Sequence, residues 1–253
     1  MKIVMIGAGN VAAVLGRKFK AAGHTLLQVI SRNSNAASAL AYEWDTESTN
    51  YISLINRHAD IYIIAVSDEA IGEVIKDLYL PGKVVAHTAA AVKMEILRPV
   101  TEDYGVFYPL QSLRKEMKTI PEIPVFIDAG TQRARQMLEK LAGSVSSEPV
   151  SFHSGDERLK FHIAAVVVSN FTNYLYALAE DYCKKEKIDF RLLLPLIKES
   201  ATRLQEASPS SVQTGPAARN DQTTLQKHLL ALEAYPELQK VYAFLSDSIR
   251  EKH

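Results

Sequence analysis

Short apolar runs alternate with helical patterns along the first half of the chain, and this alternation predicts an α/β domain. Each run is nearly all apolar, as in strands that are buried on both faces of a sheet. The predicted strands are residues 2–6, 25–30, 60–66, 83–88, 105–107 and 125–127. Strands separated by helices are joined by right-handed crossovers, so the sheet is predicted to be mostly parallel.

The second half of the chain has the pattern of helices. Residues Asp156 to Lys184 include no Pro or Gly and predict one long helix. Pro195 is predicted to kink the next helix, because a proline inside a helix removes a backbone hydrogen bond. We predict an α/β domain at 1–152 and a helical domain at 153–253. The three further helices are predicted to start at Asp189, Asp221 and Pro236.

A glycine turn, Gly7-x-Gly9-x-x-Ala12, lies directly between the first predicted strand and the first predicted helix. In this context Gly7 permits the tight turn, Gly9 lets a pyrophosphate approach the backbone, and Ala12 keeps the helix close to the strand. The turn therefore predicts a dinucleotide-binding site. The alternative is that the glycines serve only the turn itself.

The end of the second strand bears on the choice between NAD and NADP. NAD-binding chains place a carboxylate there for the ribose hydroxyl, whereas this chain has Ser31, Arg32 and Asn33. A guanidinium and a hydroxyl suit a 2′-phosphate, so we predict NADP in preference to NAD. The alternative is that Arg32 is a solvated loop residue.

Two further strand ends are predicted to border the same crevice, because ligands of such sheets bind at the carboxyl ends of the strands. One is Ala65-Val66-Ser67-Asp68, where Asp68 either lies beside the cofactor or caps the next helix. The other is His87-Thr88, where His87 either touches the ligand near the nicotinamide or satisfies backbone groups.

The long predicted helix carries polar residues on one otherwise apolar face. At about 100° per residue, His162, Ser169, Asn170 and Asn173 fall on the same side. Buried polar side chains require hydrogen-bond partners. The stripe therefore lines a ligand cleft, with His162, Asn170 and Asn173 as catalytic candidates, or it pairs with another helix across an oligomer interface.

The segment 214–221 combines Gly, Pro, Arg and Asp in a loop that leads into a helix. Arg219 is a candidate for binding an anionic substrate with two hydrogen bonds. Asp221 and His228 are candidate acid–base groups. The alternative is that Asp221 only caps the helix and Arg219 is a surface cation.

Charge and cysteine content exclude several classes of protein. Lys plus Arg and Asp plus Glu both number 29, without the basic excess of nucleic-acid binders. The single cysteine, Cys183, cannot form an intramolecular disulfide. No apolar run approaches the roughly 20 residues that span a bilayer. We therefore expect a cytoplasmic protein that binds a small molecule, with no metal site, nucleic acid or membrane partner.

Several motifs together resemble those of Rossmann-like proteins with a DUF2520 domain, relatives of F420-dependent NADP oxidoreductases, pyrroline-5-carboxylate reductases and ketopantoate reductases. The resemblance implies a Rossmann domain followed by a helical dimerisation domain. The predicted C-terminal helices also carry more Leu, Val and Tyr than one small domain easily buries, so we expect a homodimer. The resemblance also implies that Gly7, Gly9, Asn10 and Val11 bind the pyrophosphate, that Ser31 and Arg32 bind the 2′-phosphate, and that Tyr108 lies near the substrate. The motifs are GAGNVA at 7–12, AVSD at 65–68, HTA at 87–89, YPLQSL at 108–113 and TGPAARND at 214–221.

Two functions fit these features. The first is an NADP-dependent oxidoreductase that moves hydride to or from a small carbonyl, an imine or a second redox carrier in an interdomain cleft. His162 or His228 would then donate the proton. The second is a dinucleotide-binding sensor or regulatory dimer without turnover. It is favoured because Lys160 is followed one helical turn later by Ala164, where hydroxyacid dehydrogenases have asparagine.

Overall fold

The computed structural model of the chain describes residues 1–147, 151–152 and 154–252. The strands of these residues form a sheet in the order β3-β2-β1-β4-β5-β6-β7-β8, in which β6 and β7 pair antiparallel and the other described pairs are parallel. The order from β3 to β6 is that of doubly wound dinucleotide-binding sheets. The strands are β1 (Lys2–Ile6), β2 (Thr25–Ile30), β3 (Glu47–Thr49), β4 (Ile61–Ile64), β5 (Val84–His87), β6 (Tyr104–Pro109), β7 (Val125–Ala129) and β8 (Ser151–Phe152).

Helices cover the sheet and make up the C-terminal region, so the predicted fold class is confirmed. No helix among the described residues is long and apolar enough to cross a membrane. The helices are α1 (Asn10–Ala21), α2 (Ser34–Trp44), α3 (Asp68–Lys76), α4 (Gln132–Val145), α5 (Gly155–Ala165), α6 (Thr172–Lys185), α7 (Leu194–Thr202), α8 (Gln222–Ala231) and α9 (Pro236–Arg250).

The core lies on both faces of the sheet, as the continuous apolar runs require. In β1, Ile3 and Met5 pack into one cluster with α1, α2 and α4. Val4 and Ile6 pack into a second cluster with α3. Side chains alternate between the faces of a strand, so a strand with helices on both sides is apolar at every position.

The six predicted strands are all present, whereas β3 and β8 are not among the predictions. β3 has three residues and β8 has two, and neither forms an apolar run. Such short edge strands have no periodicity that distinguishes them from loops. β3 matters for the site because it carries the chain along the edge of the sheet beside β2.

The long predicted helix differs from a regular α-helix. α5 and α6 are separated by a π-helical segment at Val166–Phe171. A π-helix pairs residue i with i+5, so it turns by less per residue than an α-helix. The wheel that placed His162, Asn170 and Asn173 on one face assumes a constant 100° and is wrong across this segment.

Two helix boundaries show how local sequence starts a helix. Ser154 and Glu157 form a capping box before α5, a signal that the prediction of the long helix missed. The helix predicted from Asp189 is divided rather than kinked, because a 3-10 turn at Phe190–Leu193 is followed by α7. Pro195 lies in the first turn of α7, where it needs no intrahelical hydrogen bond.

The chain divides into two compact units, residues 1–169 and 170–253. The first contains the whole sheet, α5 and most of the π-helical segment. The second contains α6 to α9. The proposed boundary after residue 152 stays a prediction.

Candidate functional site

A cleft opens at the carboxyl edge of the sheet, where β1, β2 and β4 end. Its volume is about 1170 Å³, which is ample for an organic cofactor. Doubly wound sheets bind ligands at this edge. Nine of the predicted cofactor-binding residues line the cleft, namely Gly7, Gly9, Asn10, Val11, Ser31, Arg32, Ala65, Val66 and Ser67.

The two glycines of the turn are glycines for different reasons. Gly7 has φ +123°, and a Cβ there would lie 2.1 Å from the carbonyl oxygen of Ala65. The fold itself therefore excludes a side chain at Gly7. Gly9 has φ −87°, and a Cβ there would meet no protein atom within 4 Å. Its missing side chain leaves open space in the cleft, as a pyrophosphate close to the backbone would require.

The N-terminus of α1 also faces this ligand space without a side-chain cap. Gly9 is the N-cap residue and supplies no side-chain oxygen to the first turn. The first N–H groups of a helix lack intrahelical partners, and the helix dipole favours an anion there. Asn10 is held in place because its Oδ1 accepts a hydrogen bond from the Lys115 backbone N–H at 3.1 Å. This end of α1 fits a pyrophosphate group.

The loop between β2 and α2 presents the cationic side chain. Ser31 Oγ accepts a hydrogen bond from the Asn33 backbone N–H at 3.2 Å, and Asn33 caps α2 by accepting from the Ala36 backbone N–H. Arg32 is exposed and forms no hydrogen bond or ion pair with another described residue. It is also the one cation among the described residues that line the cleft. A 2′-phosphate beside Ser31 would supply the missing partner.

Further residues of the cleft were not predicted from the sequence. Asn50, Tyr51 and Ser53 follow β3 and line the same cleft as Arg32. Tyr51 is 62% exposed, so a large aromatic side chain lies open at the cleft. The signal that could have found these residues is the position of the loop after β3, which is visible only once that strand is known to pair with β2.

Three predicted cofactor-binding residues do not line the cleft. Asp68 is the first residue of α3, and Ser67 is the N-cap, so the prediction that Asp68 caps the helix is wrong. Thr88 is buried, and its backbone N–H donates to the Ile64 carbonyl at 3.1 Å. His87 is fully buried at the end of β5. For Thr88 and His87, the structure favours hydrogen bonding with backbone groups over contact with a ligand.

His87 lies in a strongly desolvated environment. Its Nδ1 accepts a hydrogen bond from the Ala89 backbone N–H at 3.2 Å, and its Nε2 has no partner among the described residues. Burial, aided by the charge of Arg158, lowers the pKa of His87 to about 4, against a smaller opposing effect of the Lys93 backbone. The ring is therefore neutral at physiological pH.

His87 is expected to make the folded state sensitive to mild acid. Its pKa in the folded state lies below the ordinary value of 6.5, so the unfolded chain takes up the proton first as the pH falls. Stability is then lost between about pH 6.5 and pH 4. We expect the free energy of unfolding, measured with urea at pH 7 and pH 5, to fall by about 2 kcal/mol more in the unmodified protein than in His87→Asn. Equal falls in both proteins would contradict this prediction.

A second group of polar residues lies at the carboxyl end of β6. Tyr108 Oη and His162 Nδ1 are 3.0 Å apart, so the structure brings together the predicted substrate residue and a predicted catalytic residue. Beside them Arg158 is buried, 1% exposed. Its Nε donates to the Ala90 carbonyl at 3.1 Å and its Nη2 to the Val92 carbonyl at 2.9 Å.

Arg158 has a partly buried counterion. Its Nη1 lies 3.5 Å from Asp128 Oδ2. Burial raises the pKa of Asp128, and the charge of Arg158 opposes that rise. Neither residue was predicted, because a single arginine on a helix has no periodic pattern that signals burial.

The remaining predicted site residues belong to the second unit. Asn170 and Asn173 are exposed. Asp221 caps α8 by accepting from the Thr224 backbone N–H and hydroxyl, and these hydrogen bonds lower the pKa of Asp221. His228 Nδ1 lies 2.7 Å from the Tyr242 hydroxyl. Arg219 is an exposed cation in the loop before α8. The structure therefore favours the capping role of Asp221, which the sequence had left as the alternative.

Two solved structures of other proteins resemble this one over nearly its whole length. A protein of Bacteroides fragilis, BF3122, named as a candidate NADP oxidoreductase, is 35% identical with a TM-score of 0.90, and covers 99% of this chain and 98% of its own. A reductive aminase of Aspergillus terreus in complex with NADPH is 15% identical with a TM-score of 0.65, covering 96% and 87%. The second likeness shows the fold alone. No curated protein sequence matches the chain.

Family models match both parts of the chain. The model described as a Rossmann-like domain matches residues 1–111, which include the glycine turn and all the described residues that line the cleft. The model described as domain of unknown function DUF2520 matches residues 123–249, half of the chain. The chain therefore belongs to the DUF2520 family and carries a Rossmann-like domain at its N-terminus.

Proposed function

We propose that the protein is a reductase that binds NADP in the cleft and transfers hydride to a small carbonyl or imine substrate. The observation that carries the proposal is that Gly9 and Arg32 line one cleft. Gly9 has open space where a side chain would lie, and Arg32 has no hydrogen-bond or ion-pair partner among the described residues. The pyrophosphate would lie at the N-terminus of α1, and the 2′-phosphate beside Ser31 and Arg32.

The bound nicotinamide would supply the hydride chemistry, and the protein would supply orientation and a proton. The names of similar structures support this class of reaction. BF3122 is named as a candidate NADP oxidoreductase, and the Aspergillus terreus structure contains NADPH with ethyl 5-oxohexanoate.

Of the predicted catalytic residues, His162 has the strongest support, because it lies in the same unit as the cleft and is bonded to Tyr108. Asn170 and Asn173 are exposed residues of the second unit, so their role as substrate ligands stays a prediction. Asp221 caps α8, so we assign it a structural role. His228 lies in the second unit, and its role as a proton donor stays a prediction.

The test of the proposed function is consumption of NADPH with carbonyl and imine probes. If the protein is a reductase, we expect it to consume NADPH with cyclohexanone alone, or with cyclohexanone and ammonium as an imine source. A protein that binds NADPH tightly but consumes none with a wide panel of such probes would instead fit the second function, a dinucleotide sensor without turnover. That alternative is favoured by the absence of the Lys–Asn pair at Lys160 and Ala164.

We also propose that two copies of the chain associate through the C-terminal helices. Large apolar side chains of the second unit are exposed, among them Leu192 at 74% and Phe244 at 69%. Exposed apolar surface on this scale marks association sites in soluble proteins. Light scattering is expected to give a mass of twice 28.1 kDa. A monomer mass at micromolar concentration would contradict the proposal.

A further inference from the structure

The hydrogen-bonded pair of Tyr108 and His162 has a definite donor and acceptor. Tyr108 is 9% exposed, and its ring packs against Phe126 and, edge to face, against His162. Burial, with a contribution from Asp68, raises the pKa of Tyr108, while the charge of Arg158 opposes the rise. The hydroxyl therefore keeps its proton at neutral pH.

A count of protons assigns the tautomer of His162. A tyrosine hydroxyl has one proton to donate, and a buried hydroxyl that donates to nothing is costly. His162 Nδ1 is the one acceptor bonded to Tyr108 Oη among the described residues, so the hydroxyl donates to Nδ1. A neutral imidazole that accepts at Nδ1 carries its own proton on Nε2. His162 Nε2 has no hydrogen-bond partner in the described parts of the chain, so this donor remains available.

The pair lies at the edge of the sheet that the proposed cofactor would follow. β4, β5 and β6 lie successively beside β1, all parallel, so Tyr108 ends the third strand from the glycine turn. At about 4.8 Å per strand, this is a lateral distance of roughly 14 Å. With the pyrophosphate at β1 and the adenosine half beside Arg32 at β2, the nicotinamide half would extend toward β4 to β6.

We infer that His162 donates the proton of the reduction from Nε2 and that Tyr108 is the positioning residue that holds and resupplies that proton. This inference rests on the proposed function. When hydride adds to the carbonyl carbon, the electron pair of the C=O bond moves to oxygen, and that oxygen takes the proton from His162 Nε2. Nδ1 takes the hydroxyl proton of Tyr108 at the same time. The pair is reset when Nε2 takes a proton from water and Nδ1 returns its proton to the tyrosinate oxygen. For an imine, nitrogen replaces oxygen.

Arg158 suits this proton relay from Tyr108 through His162, because it is a cation close to the Tyr108 hydroxyl. Its two bonds to the Ala90 and Val92 carbonyls and its contact with Asp128 fix the guanidinium in place. Its charge lowers the pKa of Tyr108 against the effect of burial, which means that it stabilises the tyrosinate that the relay leaves.

The inference is tested first without any ligand, by nitrogen-15 NMR of the histidine rings. Seven histidines are present, so the signal of His162 is assigned by its loss in His162→Gln. We expect the unmodified protein near pH 8 to carry the His162 proton on Nε2. In Tyr108→Phe, which keeps the ring against Phe126, we expect a mixture of tautomers. A proton on Nδ1 in the unmodified protein, or the same tautomer in Tyr108→Phe, would overturn the inference.

Tyr104→Phe is the matched control for this substitution. Tyr104 begins β6, and its hydroxyl accepts a hydrogen bond from Arg98 Nε at 2.9 Å, far along the strand from His162. The same loss of one hydroxyl from the same strand should leave the His162 signal unchanged. A change equal to that in Tyr108→Phe would mean that the effect comes from the strand and would overturn the inference.

The second arm measures NADPH binding and the reduction of cyclohexanone, with and without ammonium. We expect kcat to fall about 100-fold or more in His162→Gln and about tenfold in Tyr108→Phe. The NADPH affinity of both variants should stay within about twofold of the unmodified protein. Unchanged kcat in both variants would overturn the donor role while the proposed function stands. Failure of the unmodified protein to bind NADPH would overturn the proposed function, whatever the tautomer of His162.

Discussion

Replacing Gly7 with alanine is expected to cost the folded protein about 3 kcal/mol or more of unfolding free energy. Two effects add at this position, because φ is +123° and the new Cβ would lie 2.1 Å from the Ala65 carbonyl oxygen. Residues with a side chain at such a φ cost about 1–3 kcal/mol, and an overpacked core position costs a similar amount. Urea unfolding of the purified variant measures the loss.

Gly9→Ala is the matched substitution two residues away. It is expected to weaken cofactor binding and to change the stability of the fold only slightly. Its φ of −87° is ordinary, and the Cβ would meet no protein atom, so the loss of stability should be about 1 kcal/mol or less. The methyl group would instead occupy the space proposed for the pyrophosphate. We expect NADPH to bind about 5-fold to 150-fold more weakly, which corresponds to about 1–3 kcal/mol. Unchanged NADPH affinity in a folded Gly9→Ala protein would remove the main argument for a pyrophosphate at this turn.

Arg32→Asp is expected to reverse the preference between the two nicotinamide cofactors. The unpaired guanidinium of Arg32 would form charge-assisted hydrogen bonds with the 2′-phosphate, which contribute about 1.5–3 kcal/mol. We therefore expect NADPH to bind about 10-fold to 150-fold more tightly than NADH to the unmodified protein. In the variant the cation is lost and an anion is added, so NADH should bind more tightly than NADPH.

Lys140→Asp controls for the change in net charge. Lys140 is exposed on α4 and does not line the cleft, yet the substitution changes the charge by the same amount. The ratio of the two affinities should stay that of the unmodified protein. A reversal of the ratio in Lys140→Asp as well would show that long-range charge, rather than contact with Arg32, sets the preference.

The parallel sheet and its glycine turn could be predicted because their signals are local. A strand with helices on both faces is apolar along its buried length, as in Ile3–Ile6 of β1 and in the whole of β4. Gly7 and Gly9 lie directly after the first run, so their place at the carboxyl edge followed from the order of elements. Edge strands such as β3 have no such run, and with them the loop containing Tyr51 was missed.

The sequence could not predict which face of the long helix each polar residue lies on. A helical wheel needs a constant angle per residue, and nothing in the apolar stretch before Phe171 signals the π-helical segment. His162 lies before that segment and was found by its polarity, but its partner Tyr108 lies 54 residues earlier in the chain. Pairings at that distance depend on the packing of α5 against the sheet, which has no local signature.

The central claim is that the cleft is built for NADP, and the most direct measurement is calorimetric titration of the unmodified protein with NADPH and NADH. The account predicts one NADPH per chain, bound about 10-fold to 150-fold more tightly than NADH at moderate ionic strength. Equal affinities would contradict the role of Arg32. Absence of binding by either nucleotide would contradict the account of the cleft as a whole.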